Sequence, residues 1–423
     1  MPGTAGVREA GGQDPLRILQ VTSTTIGGNW FFDQVRGLTE LGNVVCAVLP
    51  REGPLADRLR RLPGVQVEII PFGLSRRLRQ LPQLACAEWQ LARFIRAYRP
   101  DVIHAHLIIA ILACRVAAIG YRRGLVVSQI PGLVHLRIRP LFLLDRMSLG
   151  LDDLTIGSCR AIADRYREMG ARSVAVSYYG CDVGKFDPMT SPKPFRDQFS
   201  LDSSTPAVGM VAYMYPSRIR DFREIGVKGH EVFIDAVPLI AKRHPDARFF
   251  VVGDELIGNG DYRRILEARA AATGVGDRIT FTGLRNDIDS VMAGLDILVN
   301  PSMDESACYT VAEALLMRKG VIATNVGGLP DTVKHHETGL LIPAADSIAL
   351  AEAVCQLLDR PDLVTALAER GRKLVLDQFD IHSTVAQVDA LYREALSKPI
   401  RSALSTGRFA KPTQLGEQDG RLR

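Results

Sequence analysis

The sequence predicts an α/β protein of two doubly wound, parallel-sheet domains facing a central cleft. Three observations predict it. Short apolar runs alternate with stretches that repeat apolar residues at helical spacing, the pattern of strands joined by crossover helices. The alternation runs twice, on either side of an interval from Phe186 to Pro206 that holds four prolines and little periodicity and reads as an interdomain linker. The 423 residues also exceed what one hydrophobic core ordinarily serves.

The first series opens with Leu16 to Thr22, an apolar run typical of a strand buried on both faces. Gly27-Gly28 follow, then a helical pattern from Trp30 to Leu41. Val44 to Leu49 and Val65 to Ile70 read as strands. Leu84 to Tyr98 reads as a helix, and Asp101 to His106 as a strand. Gly124 to Gln129, Leu154 to Ser158 and Ser173 to Tyr178 add further strands between helices. The second series begins with a strand at Ala207 to Met214 and a helix at Gly229 to Arg243. A strand at Arg248 to Gly253 and a helix at Asp261 to Ala272 come next. Ile279 to Thr282, Leu295 to Asn300 and Val321 to Thr324 are strands. Ala349 to Leu358, Leu363 to Leu376 and His382 to Leu396 are helices. These spans predict Rossmann-like domains at 16–190 and 205–378, with the helix at 380–397 packing back on the first. Residues 1–15 and 401–423 read as flexible tails. A ligand cleft is expected between the domains, at the carboxyl ends of the strands.

Composition narrows the function classes. A formal net charge of +5 is too mild to argue for nucleic acid. The seven cysteines are scattered, odd in number and without a CxxC pair, so neither a disulfide framework nor a zinc site is expected. Met1 to Pro15 is Gly-rich and has no apolar segment, which argues against a secretory signal. No run approaches the roughly 20 apolar residues of a membrane span. The expected address is the cytoplasm, at the inner face of a membrane if it meets one.

The segment Pro301 to Met317 carries the most chemistry. Glu305 follows the apolar run Ile297 to Val299, and Glu313 stands eight positions later on the ensuing helix. A strand, a turn and a helix N-terminus form a seat for an anion. At roughly 1.5 Å per helical residue the second carboxylate lies about 12 Å from the first. That is about the reach from a sugar across a diphosphate to a ribose. Glycosidase carboxyls sit roughly 5–9.5 Å apart, so that pairing is disfavoured. Ser306, Ala307 and Cys308 are small and let a ligand approach backbone N–H groups. Tyr309 and Met317 flank Glu313 at four-residue spacing, away from the Val311 and Leu315 stripe. The plainer reading is that Glu305 complements a helix dipole and Glu313 is a surface residue.

Lys228-Gly229 open a helix, where charge and dipole together can hold phosphate. Gly27-Gly28 lack the full GxGxxG spacing, so an NAD fingerprint is not supported. His106 ends a strand; alternation with His104 and Val102 leaves a core histidine as the alternative. His335-His336 read as a solvated turn, and nothing at metal spacing supports a metal site.

Pro301-Ser302, Glu305, Glu313-Ala314, Gly320 to Thr324, Gly327-Gly328-Leu329-Pro330-Asp331 and Thr338 to Pro343 occur in one order at tight spacing. This resembles the carboxyl-terminal signature of the retaining family 4 glycosyltransferases, which have the GT-B fold and an E-x7-E motif. Gly180-Cys181-Asp182 with Phe186, Val251 to Asp254, and Lys228-Gly229 are similar too. The likeness runs over roughly residues 16 to 397. Ser306 and Cys308 stand where the family often has glycine.

The resemblance implies a nucleotide diphosphate sugar as co-substrate, no obligatory cofactor or metal, and a sugar, lipid-linked or small-molecule acceptor. It implies that Lys228 and a nearby arginine, chosen as Arg218 from Arg218, Arg220 and Arg223, hold the diphosphate. Glu305 would hold sugar hydroxyls and Glu313 the ribose. Ala307, Cys308 and Tyr309 would line the donor, with Gly27-Gly28 over its phosphates. Acceptor and sugar contacts fall at His106. The family's second histidine is replaced here by Gln129-Ile130-Pro131-Gly132, and His135, three residues later, is the second acceptor-side candidate. A sugar-nucleotide-binding subunit, or an epimerase or phosphorylase of the same shape, are the rival readings. Finally, residues 75 to 99 hold six arginines against Glu88 alone. That is an ordinary packed helix or a contact for anionic lipid.

Overall fold

The computed structural model describes residues 14–73, 81–216, 225–255, 258–306 and 308–398. Among them two parallel sheets form. The strands of the first are β1 (Arg17–Thr22), β2 (Val44–Leu49), β3 (Gln66–Ile69), β4 (Val102–His106), β5 (Leu125–Ile130), β6 (Leu154–Gly157) and β7 (Val174–Val176), in the order β3-β2-β1-β4-β5-β6-β7. The second holds β8 (Ala207–Val211), β9 (Arg248–Val252), β10 (Ile279–Gly283), β11 (Ile297–Asn300), β12 (Gly320–Thr324) and β13 (Leu340–Ile342), in the order β10-β9-β8-β11-β12-β13. Strand β13 was not foreseen.

The crossover helices of the first half are α1 (Asn29–Glu40), α2 (Pro54–Arg60), α3 (Leu81–Tyr98), α4 (Ile108–Ala117), α5 (Arg139–Ser148) and α6 (Arg160–Glu168). After α7 (Lys193–Gln198) the second half has α8 (His230–Arg243), α9 (Asp261–Ala272), α10 (Ile288–Gly294), α11 (Tyr309–Leu316), α12 (Leu329–Thr332), α13 (Ser347–Asp359) and α14 (Pro361–Gln378). A last helix, α15 (Ile381–Ser397), returns to the first sheet and buries Ile381, Val385, Val388 and Tyr392 against Phe31, Val35 and Leu38 of α1.

Both sheets are apolar on both faces, as all-parallel sheets must be. Leu19, Val21, Ile103 and Ala105 pack beneath α3 to α6, while Ile18, Ala47, Val102 and Val127 pack beneath α1, α2 and α15. In each sheet the strand order reverses once, between β1 and β4 and between β8 and β11. Thr22 pairs with His106 at the first reversal, and Ile297 with Val208 at the second. Open α/β sheets bind ligands beyond the carboxyl ends of their strands at such a reversal. The chain leaving β11 is Pro301 to Cys308, and the chain leading from β8 into α8 ends in Lys228-Gly229.

The interval Phe186 to Pro206, expected to be a linker, is packed structure. It contains α7, and Phe186 and Phe195 are buried among Phe250, Leu295 and Leu298 of the second half. The prolines hide the aromatic spacing that carries this burial.

Candidate active site

Lys228 and Glu305 lie 77 residues apart and meet at the second reversal. Lys228 Nζ donates to Glu305 Oε2 at 2.5 Å. Burial works against the lysine's charge, but the Glu305 carboxylate beside it outweighs this and holds the ammonium above its ordinary range. The backbone explains the closeness. Gly229 takes φ 71°, and a Cβ there would stand 2.0 Å from the Pro301 carbonyl oxygen. Only glycine lets the start of α8 sit on the strand end that carries Glu305. Glu305 also accepts from Ser302 Oγ at 3.4 Å and from Ser306 N at 3.2 Å.

A second pair of glycines braces the same turn. A Cβ on Gly327 would stand 1.7 Å from the Glu305 carbonyl oxygen, and one on Gly328 1.7 Å from that of Ser306. Gly328 N donates to Glu305 O at 3.1 Å. The Gly-Gly-Leu-Pro-Asp run is thus the floor on which the Glu305 turn rests.

Helix α11 begins at Tyr309 with Cys308 at its cap. Burial pushes the Cys308 thiol up to about 12, Glu305 adds to this, and Lys228 opposes it. Among the described residues the buried Tyr309 hydroxyl has no hydrogen-bond partner. Cys308, Tyr309 and Ala312 line a narrow cavity against Tyr179 and Cys181 of the first half. Glu313, half-buried one turn further on, also faces that half. Burial pushes its carboxyl up to about 7, with the Lys185 ammonium opposing the rise. Glu305 and Glu313 therefore lie along one strip: the first beside Lys228, the second beside the crossing segment that holds Lys185. Arg218 and Ala307 lie outside the described residues.

On the first sheet, Gly27 and Gly28 both take left-handed backbone (φ 70° and 71°), and Gly28 caps α1. Trp30, on that helix, lies over His106 and Tyr179, with ring centroids at 5.3 and 4.8 Å. His106 itself is wholly buried. Its Nδ1 meets Tyr179 Oη at 2.9 Å and its Nε2 meets Gln20 Oε1 at 2.7 Å. Burial and neighbouring His104 hold it neutral, well below the ordinary histidine range. With both nitrogens engaged, the core reading of His106 accounts for it, and an acceptor contact does not. His135 is likewise diverted. Its Nε2 meets Asp145 Oδ2 at 3.1 Å and Tyr166 Oη at 3.0 Å. Asp145 in turn pairs at 2.7 Å with Arg115, which is buried and also binds Asp152. This charged knot ties the loop after β5 to α4 and α5. It gives His135 a structural place rather than an acceptor contact.

Four groups at the site escaped the sequence reading. Asp304 lies among charges of both halves; burial raises its carboxyl, Arg137 of the first half opposes the rise, Glu305 adds to it and Lys228 opposes it. Asp331 joins the halves. Its Oδ2 accepts from Arg160 N at 2.8 Å and from Tyr178 Oη at 3.2 Å. Lys185 and Tyr179 complete the surroundings of Glu313 and Tyr309. The signal for Asp331 was present, as an acid at the end of the Gly-Gly-Leu-Pro run. Its partners, more than 150 residues away, were not.

Comparison with known proteins agrees with this layout. Across 90% of its length the chain superposes on all of the Anabaena Alr3699/HepE protein, whose crystal structure is in complex with UDP. The TM-score is 0.75 at 21% identity, and the shared architecture is the GT-B fold. Residues 30–180 match a glycosyl transferase 4-like domain, and residues 217–360 match the glycosyl transferases group 1. The chain belongs to the family 4 glycosyltransferases. It is 38% identical over 173 residues to 2-deoxystreptamine glucosyltransferase of Streptomyces kanamyceticus, covering 40% of this chain and 43% of that protein. The chain thus spans less than half the length of that relative. A GDP-mannose-dependent alpha-mannosyltransferase of Mycobacterium tuberculosis is 26% identical over 355 residues, covering 79% of this chain and 84% of that protein.

Proposed function

We propose that the chain transfers a sugar from a nucleotide diphosphate sugar to an acceptor hydroxyl, with retention at the anomeric carbon and without an obligatory metal. The observation that carries this reading is the meeting of Lys228 and Glu305 at the sheet reversal, beside the N-terminus of α8 and before that of α11.

In this reading the diphosphate lies at the mouth of α8, where the helix dipole and the Lys228 ammonium favour anions. The ammonium has three donors, so it can keep Glu305 and still serve a phosphate oxygen. It offsets charge building on the leaving diphosphate, the step at which fixed electrostatics count most. Glu305 accepts sugar hydroxyls, and Glu313 accepts the two ribose hydroxyls. Arg218 supplies a second cation, and the amides of Ala307 and Cys308 and the Gly27-Gly28 turn enclose the phosphates. A leaving phosphate oxygen takes the acceptor's proton on the same face, so no protein base is required. The acceptor enters over the first half, where Trp30 and the Gly27-Gly28 turn border the cleft.

The test is release of nucleoside diphosphate over a panel of uridine, guanosine and adenosine diphosphate sugars, with and without acceptors and with and without EDTA. Nuclear magnetic resonance of the product reads the anomer. Glu305→Ala is expected to lower turnover, and Glu313→Ala to raise donor KM. Equal, mild effects of both changes would reject these roles. Nucleotide binding with no release by the parent would make the chain a binding subunit instead.

A further inference from the structure

Helices α3, α4 and α5 form one layer over the first sheet, and the outward side of that layer is unusual. On an ordinary surface helix the leucines face inward and the acids outward. Helix α5 is reversed: Asp145 is fully buried against Arg115, while Leu143, Leu144 and Met147 are exposed, Met147 at 82%. Val134 and Ile138, just before the helix, are exposed as well. The same layer exposes Trp89 on α3, with the Arg93 guanidinium 5.4 Å from its ring centre.

Charge on this face has one sign. Every fully exposed charged side chain of the three helices is an arginine: Arg93, Arg96, Arg139 and Arg146. The acids they carry, Glu88 and Asp145, are partly or wholly buried. Among the described residues Arg139 and Arg146 make no ion pair, so their charge is available to a partner. Among the described residues, too, no helix is long and apolar enough to cross a bilayer.

We infer that this face docks on an anionic lipid bilayer and that the acceptor is drawn from that surface. The inference deepens the sugar-transfer reading by naming the acceptor's class, and rests on that reading for this consequence. Aliphatic side chains among arginines, with an interfacial tryptophan, match the apolar and anionic layers of a leaflet. A second copy of this chain fits poorly, because a two-fold contact would set arginine against arginine. The position also suits delivery. The loop entering α5 reaches the other half of the molecule: a Cβ on Gly132 would stand 4.0 Å from Ser306 Oγ, and Arg137 acts on Asp304. A headgroup at the foot of α5 is therefore beside the cleft.

The full chain should be sedimented with vesicles of phosphatidylcholine alone and of phosphatidylcholine with phosphatidylglycerol, at low and physiological salt. Binding is expected only with the anionic vesicles, weakening with salt. Withdrawing one leucine-sized side chain from water is worth on the order of tenfold in partitioning. With two such side chains, Leu143→Asp/Met147→Asp should thus lose about 100-fold, and Arg139→Gln/Arg146→Gln about 30-fold. Both variants change exposed side chains, so circular dichroism and nucleoside diphosphate release with a water-soluble acceptor should match the parent. Parent protein that stays in the supernatant, or variants that bind as the parent does, would overturn the inference. So would a parent dimer in light scattering that Leu143→Asp dissolves, which would assign the face to a second copy. If release is normal while vesicle binding is absent, only this inference fails. If no activated sugar binds, the sugar-transfer reading fails by itself.

Discussion

Glu313 offers the sharpest test, because the fold holds its carboxyl at about 7 against an ordinary 4.5. Keeping the group ionised in that setting costs about 3 kcal/mol. The sign follows from linkage. Below pH 4.5 the group is protonated in both folded and unfolded chains and costs nothing. The cost accumulates between pH 4.5 and about 7 and stays constant above. Glu313→Gln removes the ionisable group and keeps the shape. Relative to the parent, the variant should gain about 3 kcal/mol of stability between pH 4.5 and pH 8.5, since the buried amide's own cost is the same at both. Unfolding in denaturant at the two pH values measures this.

Nucleotide binding should run the other way. Ribose hydroxyls favour the carboxylate, so they draw the group back toward its ordinary value. At pH 7 the parent should therefore release about half a proton on binding a nucleoside diphosphate. The variant should release none and bind about tenfold or more weakly, since a charge-assisted hydrogen bond contributes roughly 1.5–3 kcal/mol. Titration calorimetry in two buffers of different ionisation enthalpy reads the proton directly. A variant that gains no stability on the parent between the two pH values, or nucleotide binding without proton release, would refute the assignment of Glu313 to the ribose.

The remaining predictions address the floor, the junction and the buried histidine. Gly328→Ala drives a methyl group into the Ser306 carbonyl and shifts the Glu305 turn; turnover should fall at least about 100-fold, since small misplacements cost that much. Asp331→Asn weakens the contacts to Arg160 and Tyr178 that join the halves. Transfer should fall about tenfold while donor hydrolysis rises, because closure excludes water; an unchanged ratio of the two would count against a closing role. His106→Leu strands the Tyr179 hydroxyl and the Gln20 amide, so it should cost about 1–3 kcal/mol of stability. Its kcat per folded molecule should stay within about threefold; a folded variant with turnover lowered about 100-fold would return His106 to the chemistry.

The two sheets were legible because a strand buried on both faces writes its burial as an apolar run, as Ile18 to Val21 and Ile297 to Val299 do. The residues near Lys228 and Glu305 were legible for a related reason: turns at strand ends collect small and charged residues that have no core duty. The histidines were not legible. Alternation places His104 and His106 on a strand, but nothing local tells where a ring nitrogen finds its partner, and Tyr179 and Tyr392 stand 73 and 288 residues away. The same holds for Asp331, whose work is done between two halves that the sequence treats separately. The interval at 186–206 failed for want of a period, since Phe186 and Phe195 are buried and Phe199 half-buried in a segment too short to repeat.

Charge at the reversal sets one further condition on any donor. Lys228 already answers Glu305, and Asp304 lies within the reach of both. A diphosphate brings still more negative charge to a place where the Glu305 and Asp304 carboxylates already face the Lys228 ammonium and, on Asp304, the Arg137 guanidinium of the first half. Dipole and backbone amides supply only partial charge. Arg137 already acts on Asp304, and the arginines at 218, 220 and 223, just before Lys228 in the chain, are further candidates for a cation over the phosphates. If one of them closes over the phosphates, its loss should weaken nucleoside diphosphate far more than nucleoside. If none does, either Arg137 or protonation of Asp304 must offset the donor's charge, and in the second case binding would tighten as pH falls.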